Sequence, residues 1–230
     1  MAGIGFRLQA LVAKGSYLEA ATAYLSSAVI SAGPWATGVT ALMALNSTSL
    51  TYLSPSDHSL LVATIVTLFA VSLLLASGPQ LVITRYLADR LYIEDLESLA
   101  PTCTGALLLI IPVSLIALPF LFFAPFDFLY RSIVFGLLII LTMIWIIVMF
   151  LSAAREHISI LFIFVVSYTT GIFASLLLGH LYGLVGTLAG FTIGQLVCLS
   201  FLTMQIYREF PSFTTSKLFV SLAYLRYFIQ

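Results

Sequence analysis

Charge is what this sequence has least of. Of its 230 residues, 9 are Lys or Arg and 9 are Asp or Glu, 8% together, where soluble domains carry about 25%. The formal net charge is +0, so there is no basic excess to hold a polyanion, and nucleic-acid binding is excluded as a function class. Cysteine is nearly absent too. Cys103 and Cys198 stand at the start of one apolar run and inside another, without ligand spacing or a disulfide framework, and read as packing residues. The three histidines, His58, His157 and His180, fall at segment boundaries with no second ligand three or four positions away, which leaves no metal site. Nucleophile elbows, glycine-rich phosphate loops and paired membrane carboxylates are missing, so neither an enzyme nor a cofactor is expected. The front of the chain has no compact apolar core followed by a small-residue cleavage site, so the N-terminus is expected to be retained.

What the chain has is oil-soluble surface: 61% hydrophobic residues and a mean hydropathy of +1.14. A soluble fold of this length cannot hide so much, so the solvent must be lipid. Six uncharged runs, at about 20–45, 59–84, 104–124, 132–154, 158–179 and 182–207, each approach the ~20 residues a tilted helix needs to cross hydrocarbon. Lipid offers the backbone no hydrogen bonds, so the runs must be helical. They are continuous rather than alternating and too long for barrel strands, which rules out a β-barrel. The expectation is an all-α polytopic membrane protein with about six transmembrane helices.

Orientation follows from the cations. Arg7, Lys14, Arg85, Arg90, Arg155, Arg208, Lys217 and Arg226 share one side of a six-pass zigzag, and Arg131 alone falls on the other. The positive-inside bias then puts both ends in the cytoplasm and places 46–58, 125–131 and a short turn at His180 outside. Residues 1–19 read as a cytoplasmic interfacial segment, 20–207 as the membrane lobe, and 208–230 as a cytoplasmic interfacial linker. Both terminal segments carry leucines at helical spacing beside Lys or Arg, the pattern of helices lying in the headgroup layer. Glu94, Asp95 and Glu97 form an acidic cluster that reads as a solvated loop face.

Two kinds of feature stand out inside the runs. Small residues recur every fourth position at Ser167, Gly171, Ser175 and Gly179, and again at Gly186, Gly190 and Gly194. Stripes of this kind let helix backbones approach closely in lipid, and a brief turn between them predicts a tight antiparallel hairpin. The first two runs are each interrupted by a glycine-proline pair, Gly33-Pro34 and Gly78-Pro79, the second followed by Gln80. Proline removes an amide donor and clashes with the carbonyl four residues back. These positions read either as bends beside a substrate path or as ordinary proline kinks of membrane helices.

The string Thr84-Arg85-Tyr86-Leu87-Ala88-Asp89-Arg90-Leu91-Tyr92, with Met1-Ala2-Gly3-Ile4-Gly5-Phe6 and Ser31-Ala32-Gly33-Pro34-Trp35, resembles the Pel-type exopolysaccharide transporters of the flippase superfamily. The stretch from Trp145 to Arg155 and the glycine-rich last run from Tyr182 to Gln195 are similar as well. The resemblance implies one lobe of a MOP-type (polysaccharide and lipid-linked oligosaccharide) flippase working by alternating access in the bacterial inner membrane. It further implies a polysaccharide substrate made by a cytoplasmic glycosyltransferase within a multiprotein membrane complex. Under that resemblance the first two helices line the cavity, and Arg85, Asp89 and Arg90 stand at its cytoplasmic mouth, either contacting polymer, holding a gate or anchoring to headgroups. Family members carry two lobes in one polypeptide, so a truncated product lacking its second lobe is expected, with a dimerising half-transporter as the alternative. A rival reading is a non-transporting scaffold that docks the glycosyltransferase at the membrane.

Overall fold

The computed structural model describes residues 17–93, 99–117, 119, 126–153 and 157–209. All regular structure among them is helical: α1 (Tyr17–Ser49), α2 (Pro55–Tyr92), α3 (Leu99–Ser114) with a 3-10 turn at Leu115–Ala117, α4 (Phe128–Ala153) and α5 (His157–Glu209). Three stretches are long and apolar enough to cross a membrane, Pro55–Arg90, Phe128–Ser152 and Ser159–Glu209, and Pro101–Ser114 is a shorter apolar helix. This is a membrane protein. The interfacial segments expected within 1–14 and 218–226, the acidic cluster at Glu94, Asp95 and Glu97, and Arg155 lie outside the described residues.

The first connection is shorter than the sequence suggests. Instead of a loop over 46–58, α1 runs on to Ser49 and α2 begins at Pro55. The reason is local capping. Ser54 Oγ accepts the Asp57 amide proton at 3.2 Å while its hydroxyl donates to Asp57 Oδ2 at 2.8 Å. Pro55 fits the first helical position because it has no amide proton to leave unsatisfied. Arg131, expected in the second external loop, is instead in the first turn of α4, with its backbone amide on the Asp127 carbonyl at 3.0 Å and its Nε on the Phe126 carbonyl at 2.6 Å.

The last two expected runs form the two arms of α5, which meet at Gly183 (φ 62°, ψ −136°). A backbone with that φ is strained for any residue with a Cβ, and there the chain reverses on itself. α4 lies at the centre, between α5 on one side and α2 and α3 on the other, and α1 packs on α5. Leu137, Leu141, Ile146, Ile147 and Leu151 of α4 are at most 1% exposed. Leu74, Leu81, Phe173 and Met204, by contrast, are more than two-thirds exposed, an exterior as apolar as the core and suited to lipid.

Apolar burial drives little helix association in lipid, so packing and interhelical hydrogen bonds must hold the bundle. Thr64 Oγ1 and Tyr130 Oη at 2.6 Å tie α2 to α4, and Thr104 Oγ1 and Tyr207 Oη at 3.2 Å tie α3 to α5. Each such bond contributes about 0.6 kcal/mol on average in a membrane bundle. Other hydroxyls are silenced within their own helices, as Thr142, Thr169, Thr192 and Thr203 donate to the carbonyl four residues back, which lets polar side chains sit in apolar surroundings.

Candidate functional site

Although α1 and α2 are joined by only five residues, they scarcely touch each other: α1 leans on α5 and α2 on α4. Between them opens a cleft. The part next to the 50–54 connection holds a cavity of about 230 Å3 lined by Val39, Leu42, Met43, Leu45 and Asn46 of α1 and Leu61, Val62, Ile65 and Val66 of α2. Val39, Met43 and Val66 are each more than half exposed, so the cavity is an open one.

One helical turn deeper lies an aromatic layer. Trp35 is four residues before Val39, and Phe69 four after Ile65, which places both on the helix faces that line the cavity. Trp35 stacks on Trp145 of α4 with ring centroids 5.4 Å apart and planes inclined by 29°, and Phe69 meets Trp145 edge-on at 6.4 Å. Phe69 also contacts Phe191, which contacts Tyr168, both on α5. Counting 1.5 Å per residue, Trp35 and Phe69 each stand about 21 Å below the ends of their helices at the 50–54 connection. Polar contacts fix the inner tryptophan: Trp145 Nε1 donates to Ser72 Oγ at 3.0 Å, and Gln80 Nε2 donates to the Trp145 carbonyl at 3.2 Å.

The residues singled out in the sequence distribute over this frame. Neither glycine-proline pair ends or breaks its helix: α1 continues through Gly33 and Pro34, and α2 through Gly78 and Pro79. One proline costs a helix its local hydrogen bond, and thirty-odd surrounding residues keep the rest. Gly33 is buried where α1 meets α5, and a Cβ there would stand 2.8 Å from Leu161 Cδ1. Gly78 faces open space. Gln80 joins the aromatic layer through its bond to Trp145. Arg85 and Asp89 are exposed near the far end of α2, and the Arg90 guanidinium lies 5.0 Å from the centre of the Tyr86 ring.

The small-residue stripes meet along the α5 hairpin. A Cβ on Gly194 would strike the backbone of Gly171, one on Gly190 the backbone of Ala174 and Ser175, and one on Gly186 the backbone of Leu178. Ser167 and Ser175 are buried, and Ser175 Oγ donates to the Thr187 carbonyl at 3.0 Å. Gly179 lies under Tyr52, whose ring is 4.7 Å from that of His180, so the closed end of the hairpin abuts the connection between α1 and α2.

Sequence reasoning passed over Phe69, Trp145 and Tyr168 as site residues, and also Gly38, whose Cβ would stand 3.1 Å from Tyr168 Oη. Their juxtaposition joins positions up to 130 residues apart, and no local spacing encodes it.

A family model described as "PelG: Putative exopolysaccharide Exporter (EPS-E)" matches residues 1–230. No curated protein and no solved structure matches the chain. With the match running over all 230 residues and an apolar helical fold to carry it, this chain belongs to the PelG family of exopolysaccharide exporters.

Proposed function

We propose that this chain forms the N-terminal lobe of an exporter that moves a sugar polymer across the bacterial inner membrane by alternating access. The cleft between α1 and α2 is part of its path. The carrying observation is that two helices adjacent in sequence hold apart around an open cavity, an arrangement that a bundle built only for packing would close. In this reading α1 to α4 and the two arms of α5 make six crossings with both ends in the cytoplasm. Gly33-Pro34 and Gly78-Pro79 let α1 and α2 flex, and a second lobe or a second copy completes the opposite wall. A cytoplasmic glycosyltransferase delivers polymer to a mouth that bears Arg85, Asp89 and Arg90.

Val39 and Val66 line the cavity from opposite helices. Replacing both by cysteine and joining them with a reducible bifunctional thiol reagent pins the cleft in one state, while Cys103 and Cys198 stay buried and spared. Export in cells is expected to stop on cross-linking and to return on reduction. Undiminished export by fully cross-linked protein, with the glycosyltransferase still co-purifying, overturns the transport reading in favour of a docking scaffold. Orientation is tested separately. An impermeant thiol reagent added outside should label Ser54→Cys and miss Asp89→Cys, and the reverse result removes the two arginines from a cytoplasmic mouth.

A further inference from the structure

The two tryptophans of the chain stack on one another at the inner end of the cleft, and they are held very differently. Trp145 is anchored by the Ser72 hydroxyl on its indole nitrogen, by the Gln80 amide on its carbonyl and by a T-shaped contact with Phe69. Trp35 has the Trp145 ring on one side and is 55% exposed. A large aromatic more than half exposed, backed by a second fixed aromatic and one helical turn from an open cavity, is a preformed stacking surface. We propose that Trp35, backed by Trp145 and Phe69, is a platform on which a sugar ring of the exported polymer stacks during its passage, an assignment that rests on the export reading above.

The chemistry suits the ligand. A pyranose ring with equatorial hydroxyls presents C–H faces whose hydrogens carry partial positive charge from the neighbouring oxygens, and the electron-rich face of an indole attracts them. Such contact demands no charge, which agrees with a cavity lined by eight apolar residues and one amide, Asn46. It also grips each ring weakly and tolerates sliding. That property fits a polymer that must be held and then released ring after ring, as successive bases are held on aromatic side chains in single-strand channels.

The test compares Trp35→Phe, which keeps a π face, with Trp35→Leu, which keeps apolar bulk and loses it. At equal protein level in the membrane, the phenylalanine variant is expected to export within about twofold of the parent and the leucine variant to fall at least tenfold. Because both indoles lie in this layer, tryptophan emission of the purified chain is a direct readout. Oligosaccharides cut from the polymer the same cells export are expected to shift emission of the parent protein and not of Trp35→Leu. Equal export by the two variants, or emission indifferent to the oligosaccharides, overturns the platform. If the Val39–Val66 cross-link still stops export in that case, the transport reading survives its loss.

Discussion

The α5 hairpin and the α1/α2 cleft are both pairs of helices joined by a tight connection, and they have opposite characters. In the hairpin, glycines at 186, 190 and 194 bring one arm so close to the other that a single added carbon meets backbone. In the cleft, the facing walls of α1 and α2 carry branched or long side chains around an open cavity. Small residues on facing surfaces close a helix pair in lipid, where association depends on contact rather than on escape from water. Large residues whose partners lie on other helices keep a pair open. The hairpin therefore has the build of a fixed strut and the cleft that of a part able to move.

The comparison breaks most visibly at Gly190. Its Cβ would overlap backbone atoms of Ala174 and Ser175, and backbone cannot step aside as a side-chain tip can. Gly190→Leu is expected to cost more than about 3 kcal/mol, at the upper end for overpacked sites. The variant should be lost from the membrane fraction or run as aggregate on size-exclusion chromatography in detergent. Full recovery as a well-behaved particle would show that the arms can separate, and the strut would lose its meaning.

How much of this was open to inspection in the sequence depends on the range of the interaction. The apolar runs betray helices because lipid leaves the backbone no alternative, and the fourth-residue repeats at 171–179 and 186–194 are visible because they lie along single helices and close on each other through a short turn. The ends of α1 and α2 were misjudged because polar residues such as Asn46, Thr48 and Ser49 were read as loop. In the fold the two hydroxyls bond back to helix carbonyls, Thr48 to Ala44 and Ser49 to Asn46. The pivot is Gly183, inside the brief turn expected between the two small-residue stripes, since positive φ selects glycine. The aromatic layer had no signature at all: Trp35, Phe69, Trp145 and Phe191 come from four helices, and only the packing of α1 on α5 and α2 on α4 brings them together.

A finer cut separates the two glycine-proline pairs of α1 and α2. Gly33 is wedged against α5, where alanine would have to push the tip of Leu161 aside. That displacement involves only a flexible side chain and should cost on the order of 1 kcal/mol. At Gly78 the added methyl enters open space, and replacing a mid-helix glycine removes backbone freedom worth about 0.5–1 kcal/mol. Gly78→Ala is therefore expected to raise the melting temperature in detergent by a few degrees, while at Gly33→Ala the same backbone gain is offset by the Leu161 displacement and the melting temperature stays near the parent's. If α2 flexes at Gly78-Pro79 during transport, the stiffer helix should also export more slowly than the parent at equal protein level. A variant both more stable and undiminished in export would place the moving element of the cleft in α1 instead, at Gly33-Pro34.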